Sequence, residues 1–111
     1  MRLIELEPQF LRLQTGPVYA HVASIQEADG ISFLCPKCFK ANGGNVGTHS
    51  VLCWFEGRVP DDLSPKPGRW NPKGTGFDDL SFVPGLQTRS VQLFGGCTAH
   101  FHITNGEVTE A

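Results

Sequence analysis

Cys35-Pro36-Lys37-Cys38 constrains this chain more than any other stretch. Two thiols separated by two residues can grip one metal ion from a single tight turn, and the proline between them stiffens that turn. The sequence holds only two further cysteines, Cys53 and Cys97, and four histidines. A structural zinc site takes four nitrogen or sulfur ligands in a tetrahedron. The missing ligands must therefore return to this turn from elsewhere, which calls for strands that bring distant residues back together.

Cys97-x-x-His100 is the leading candidate for the second pair. It follows Gly95-Gly96, which frees the backbone to bend, and it opens an apolar segment that can stay rigid as a strand. The expected site is thus Cys35, Cys38, Cys97 and His100 around one structural Zn2+, in a zinc-knuckle or zinc-ribbon-like arrangement. His49, Cys53 and His102 are alternates. His49 and Cys53 are four apart and share a strand face, as do His100 and His102. Cys53 between Leu52 and Trp54 also reads as a small buried apolar residue. His49 and His102 also read as surface or hydrogen-bonded histidines, His21 as structural, and Cys35 and Cys38 as plain free thiols.

A catalytic zinc would need three protein ligands, an open position and a neighbouring base. Glu56, Asp78 and Asp79 are the acids available for a metal-dependent hydrolase, with His49 or His102 as an extra ligand. The chain has neither H-E-x-x-H nor H-x-E with P-C-x-x-C. Three thiolates would also donate enough charge to quench Lewis acidity. Asp78-Asp79 reads equally as a polar strand edge. Nothing specific supports Cys53 with His49 or His100 as a nucleophile pair.

Thirteen glycines and eight prolines in 111 residues argue for many turns and few long helices. The length suits one domain spanning residues 1–111, with a core thin enough to benefit from a metal cross-link. Strands are expected at 3–7 and 10–13, or as one strand kinked at Pro8. Others are expected at 18–25, 31–34, 48–55, 78–83, 90–94, 97–104 and 107–109. Gly16-Pro17 reads as a turn, Asp29-Gly30 and Asn105-Gly106 as hairpin turns. A helical turn or two fits 24–28 or 60–64. The class is mainly antiparallel β, with a long Pro/Gly-rich loop over 60–76.

That loop carries Arg69 and Trp70, residue types that anchor protein interfaces, so they are expected to contact a protein partner. Its other basic residues are offset by Asp61, Asp62, Asp78 and Asp79. With a net charge of −2, neither nucleic acid nor an anionic membrane is the expected partner. No apolar run approaches the roughly 20 residues that span a bilayer. Met1-Arg2-Leu3-Ile4-Glu5 lacks the pattern of a secretory signal, which points to a reducing cytosol and to metal rather than disulfides.

Leu6-Glu7-Pro8, Phe10, Val18-Tyr19, Leu34-Cys35-Pro36-x-Cys38, Cys97-x-x-His100-Phe101-x-Ile103 and Asn105-Gly106-x-Val108 occur in that order. Together they resemble a family of small proteins encoded in phages, prophages and bacterial operons, some beside genes for bacterial ubiquitin-like conjugation. The resemblance covers nearly the whole chain, and its C-terminal segment is the most specific part. Many relatives have a tighter, Gly-containing cysteine cluster, and the insertion over 49–79 resembles a phage-side subgroup. The resemblance implies a zinc-binding β domain with no assigned activity, and Cys35, Cys38, Cys97 and His100 as ligands. It places the protein in the bacterial host cytoplasm or in the virion. The expected role is a non-enzymatic protein-interaction module; a zinc-dependent hydrolase and a structural virion component are the rivals.

Overall fold

The computed structural model describes every residue except Gly16, Pro17, Pro67, residues 86–88 and Gly95. The expected Gly16-Pro17 turn and the first glycine of Gly95-Gly96 lie outside the described residues. The architecture is mainly antiparallel β in small sheets.

The first sheet contains β1 (Gln9–Leu13), β2 (Tyr19–Val22), β3 (Gly30–Leu34) and β4 (Ser50–Trp54), in the order β2-β1-β3-β4. Phe10 and Leu11 on β1, Ile31 and Phe33 on β3, and Val51 and Cys53 on β4 are buried. The chain leaves β2 through a 3-10 turn at Ile25–Glu27 and returns on the opposite side of β1.

This route corrects the expected Asp29-Gly30 hairpin. The Asp29 N–H donates to the Leu11 carbonyl at 2.7 Å, and its carboxylate accepts the Leu13 N–H at 2.9 Å. Both bonds tie residue 29 to β1, so β2 and β3 never pair. Gly30 is an extended strand residue, and its lack of a side chain serves close packing. A Cβ there would sit 2.6 Å from Trp54 Cε3 and 2.8 Å from the Cys53 carbonyl oxygen.

The N-terminal stretch also departs from expectation. Residues Leu3–Leu6 form a 3-10 turn in place of a strand. Residues three apart eclipse in such a turn, so Leu3 and Leu6 both point inward and are fully buried. Short β5 (Asn71–Lys73) pairs with β6 (Ser81–Val83). A third sheet holds β7 (Val91–Gln92), β8 (His100–Thr104) and β9 (Glu107–Glu110) in that order. Asn105 and Gly106 join β8 to β9 with φ of 48° and 73°, the positive pair that a tight two-residue hairpin requires. Residues 1–3 lie against this hairpin: Leu3 N–H donates to the Gly106 carbonyl and Val108 N–H to the Met1 carbonyl, both at 2.7 Å.

The sheets close on one contiguous core. Phe33 meets Phe101 edge to face at 5.9 Å, and Phe55 meets Phe82 likewise at 6.5 Å. Each such ring contributes roughly 1.5–3 kcal/mol through burial. No helix among the described residues is long and apolar enough to cross a membrane.

The 60–70 loop is ordered from within. Arg69 is 5% exposed, and its guanidinium donates to the carbonyls of Pro60, Asp61, Leu63, Pro65 and Gly68. Trp70 is 9% exposed, stacks on Phe82 at 5.9 Å and donates its indole N–H to the Ser90 carbonyl at 3.0 Å. Arg69 is thus occupied in ordering the loop, and Trp70, expected with it to contact a partner, is largely packed into the core. A loop with so few regular backbone bonds needs a multi-donor cation to satisfy its carbonyls, and Arg69 is used for that.

Gly30→Ala is expected to lower stability by about 1–3 kcal/mol through overpacking against Trp54. A urea titration monitored by Trp fluorescence checks this through a lower midpoint at an unchanged slope.

Candidate metal centre

The first thiol is delivered by β3. Cys35 follows its last residue and is the N-cap of a helix, α1 (Pro36–Asn42), with extended φ and ψ of −61° and 122°. Pro36 takes the first helical position, where its fixed φ fits and its missing N–H costs nothing. Gly43 ends the helix at φ 70°; its N–H donates to the Lys40 carbonyl and that of Gly44 to the Phe39 carbonyl. The Cys-x-x-Cys segment is therefore the entry to a two-turn helix rather than an isolated turn. Cys35 and Cys38 stand three apart at its start, on one face.

The second contribution comes from β4. In the β3–β4 ladder Leu34 stands opposite Ser50, and the next bond runs from Cys35 N–H to the His49 carbonyl at 2.9 Å. The strand register itself sets His49 beside Cys35. The third comes from the turn before β8. Thr98 has φ 52° and Gly96 has φ 60°, which bends the chain so that Cys97 faces the cluster. Lys37 Nζ donates to the Cys97 carbonyl at 2.7 Å and holds this turn against α1.

The ligand atoms of Cys35, Cys38, His49 and Cys97 all lie within 4.8 Å of one another. Cys35 Sγ is 3.5 Å from Cys97 Sγ, and His49 Nε2 is 3.4 Å from Cys97 Sγ. Bonds of about 2.3 Å to sulfur and 2.0 Å to nitrogen in a tetrahedron imply edges of roughly 3.5–3.8 Å. The Cys35–Cys97 and His49–Cys97 spacings match those edges to within a few tenths of an ångström, and every other pair lies within 4.8 Å. The other ring nitrogen, Nδ1, lies 3.3 Å from the Ser50 carbonyl, the kind of outer contact that orients an imidazole ligand. Among the described residues this is the one group of His, Cys, Asp and Glu assembled closely enough to hold a metal ion.

His49 thus stands in the place expected of His100. Ladder pairing on β8 begins early: the Ala99 carbonyl accepts the Leu93 N–H at 2.8 Å, and His100 pairs with Gln92. Once the segment is extended, Phe101 and Ile103 take the core side. His100 and His102 share the other face, their rings 6.4 Å apart. Cys53 is fully buried in β4, and burial pushes its thiol pKa up. The acids considered for a hydrolase lie elsewhere. Asp79 accepts the N–H groups of Thr75 and Gly76, each at 2.9 Å, and these bonds hold its carboxyl below the usual range. Asp78 is 3.9 Å from Arg2, by the β8–β9 turn at the opposite end of β8 from Cys97. The β3–β4 register was the signal for His49. Two strands joined by one connection and paired antiparallel place residues 35 and 49 at the same end.

The thiols differ in character. The hydrogen bond from His49, aided by the Ala99 N–H, lowers the Cys97 pKa to about 6. Burial raises that of Cys35 to about 11, against the opposing pull of the Cys38 and Lys37 N–H groups. No family model, curated protein or solved structure matches the chain.

These shifts set a pH dependence. Metal binding needs thiolates, so each proton displaced weakens affinity about tenfold per pH unit on acidification. With Cys97 lowered by His49 and Cys35 raised by burial, Cys97 is the thiol expected to ionise before metal arrives and Cys35 the one expected to give up its proton on uptake. Zinc uptake should release fewer protons than the three thiols could carry. As pH falls through about 6, Cys97 takes up its proton and the loss of affinity should steepen. Titration calorimetry in buffers of different ionisation enthalpy checks the proton count, and chelator competition checks the slope.

Proposed function

We propose that this chain is a zinc-stabilised β module that acts by binding another protein and carries no catalytic chemistry of its own. One observation carries the reading: three sulfurs and one imidazole nitrogen, from three separate segments, form a complete four-ligand set. Four protein ligands leave no open position for substrate or water, the mark of a structural site. Zinc bound there would join the start of α1 and the start of β4 to the turn that feeds β8. Its binding free energy would be folding free energy.

The hydrolase reading finds less support. Neither Asp78 nor Asp79 belongs to the cluster, and three thiolates would blunt the metal as a Lewis acid. A phage or prophage setting, in the host cytoplasm or the virion, rests on the resemblance of the Cys-Pro-x-Cys and Cys-x-x-His-Phe-x-Ile segments. A small rigid module without catalytic machinery suits that setting.

Purified protein should contain one zinc per chain by elemental analysis, and a strong chelator should loosen or unfold it. His49→Ala should weaken zinc affinity at least about 100-fold, beyond the 10–100-fold typical of outer-sphere changes. His100→Ala should leave it nearly unchanged. Zinc-free protein, or zinc lost through His100 and retained without His49, would overturn the assignment.

A further inference from the structure

A groove of about 690 Å3 opens beside the metal centre, between the first and third sheets. Its volume lies within the usual range for ligand sites. Its walls are largely apolar, with Leu52, Trp70, Leu93 and Phe94 among them. Phe94, 84% exposed, stands on it as a large uncovered ring.

The backbone along both walls says what fits. In the β3–β4 ladder, Cys35 N–H bonds to the His49 carbonyl and Phe55 N–H to the Asp29 carbonyl. Odd-numbered residues of β4 therefore face β3, and the peptide groups of Ser50, Leu52 and Trp54 face outward. The Trp54 carbonyl confirms that direction by accepting the Trp70 N–H at 3.1 Å. Past that point nothing among the described residues pairs with the Leu52 N–H and carbonyl. On the other wall, Leu93 N–H bonds to the Ala99 carbonyl, so Val91 and Leu93 face β8. The peptide groups of Gln92 face outward, and no described backbone group pairs with them. β4 and β7 are edge strands of their sheets, and both open edges border one groove.

An open edge is a template for another strand. We propose that this groove binds an extended peptide segment of a protein partner, which adds as a strand between β4 and β7. Main-chain bonds to Leu52 and Gln92 would supply affinity, and alternate side chains would enter the apolar walls. Charge narrows the partner further. Lys66 lines the groove and no acid among the described residues does, so the segment carries an acidic residue or a free carboxylate among apolar ones. This assignment rests on the reading of the chain as an interaction module and names its partner class.

The test starts from zinc-loaded protein, its zinc content measured on the same sample, and selection from a random heptapeptide library. Selected peptides should alternate apolar residues, include an acid, and bind with Kd below about 100 μM. Their addition should slow amide exchange at Leu52 and Gln92 at least about tenfold. Leu52→Pro removes an outward N–H that an edge strand can spare, and should weaken binding at least about tenfold while zinc content stays the same. Should that variant fail to fold, Gln92→Pro makes the same test from the opposite wall. Peptides that bind without slowing exchange at either amide would overturn the groove and leave the interaction module standing. Capture of no peptide would overturn both. Concentration-dependent dimerisation that protects the same amides would make a second copy the occupant and overturn the peptide assignment.

Discussion

Four polar ligands from three distant segments, Cys35, Cys38, His49 and Cys97, meet within 4.8 Å of one another, and the placing of the neighbouring elements turns on that convergence. Cys35 and Cys97 are 62 residues apart in sequence, yet their sulfurs are 3.5 Å apart. Burial favours a protonated Cys35, whereas His49 favours an ionised Cys97. A second thiolate formed at that spacing would be repelled by the first, most strongly at Cys35, which is buried. A divalent cation removes the conflict, because it favours ionisation of every thiol at once. The same contact closes a long loop, whose entropic cost grows only slowly with length. One ion could therefore add a cross-link between segments that the core already joins through contacts such as Phe33 with Phe101.

Much of this frame is written in the local pattern of the chain. The alternation over 31–34 and 48–55, the Asn105-Gly106 turn and the Cys-x-x-Cys spacing each reflect a short-range rule. The antiparallel β class and the pairing of Cys35 with Cys38 follow from them, while the return of Cys97 rests on its position ahead of a strand. The fourth ligand depends on a long-range fact, the pairing register of β3 with β4, which no single segment displays. Asp29-Gly30 shows the same limit from the other side. Its composition signals a hairpin, but Asp29 is claimed by Leu11 and Leu13 on a strand it does not precede. Gly30 is required by the ring of Trp54, twenty-four residues later in the sequence. Helix α1 is short and almost masked by its cysteines, so its capping residues, Pro36 and Gly43, are the main trace it leaves.

Arg69 and Trp70 show how residue types that suit an interface can also build a loop. Both are residue types that anchor partners. Both are equally the types that organise an irregular loop, because one offers many donors and the other a large apolar surface with a single N–H. The loop over 60–68 exposes carbonyls that no strand can satisfy, and five of them converge on one guanidinium. With that demand met internally, the loop becomes a rigid wall. Its far end pairs with β4 through Trp70 and stops there, so the cover it gives the β4 edge ends at Trp54.

The metal centre and the groove are consequently two aspects of one junction. His49 contributes a ligand atom on one side and lines the groove on the other. Its Nδ1 meets the carbonyl of Ser50, the first residue of the strand whose open edge forms the wall. Cys97 lies just ahead of β8, and β8 carries β7, which forms the opposite wall. A cation that fixes His49 against Cys97 therefore fixes the separation of the two edges. A slot between two sheets accepts a strand only when both edges are held at a spacing set in advance, since ordering them on binding would cost affinity. A cation held by a ligand cluster that is buried only at Cys35 would supply that rigidity to the proposed edges, and the thiols need take no part in any reaction to do so.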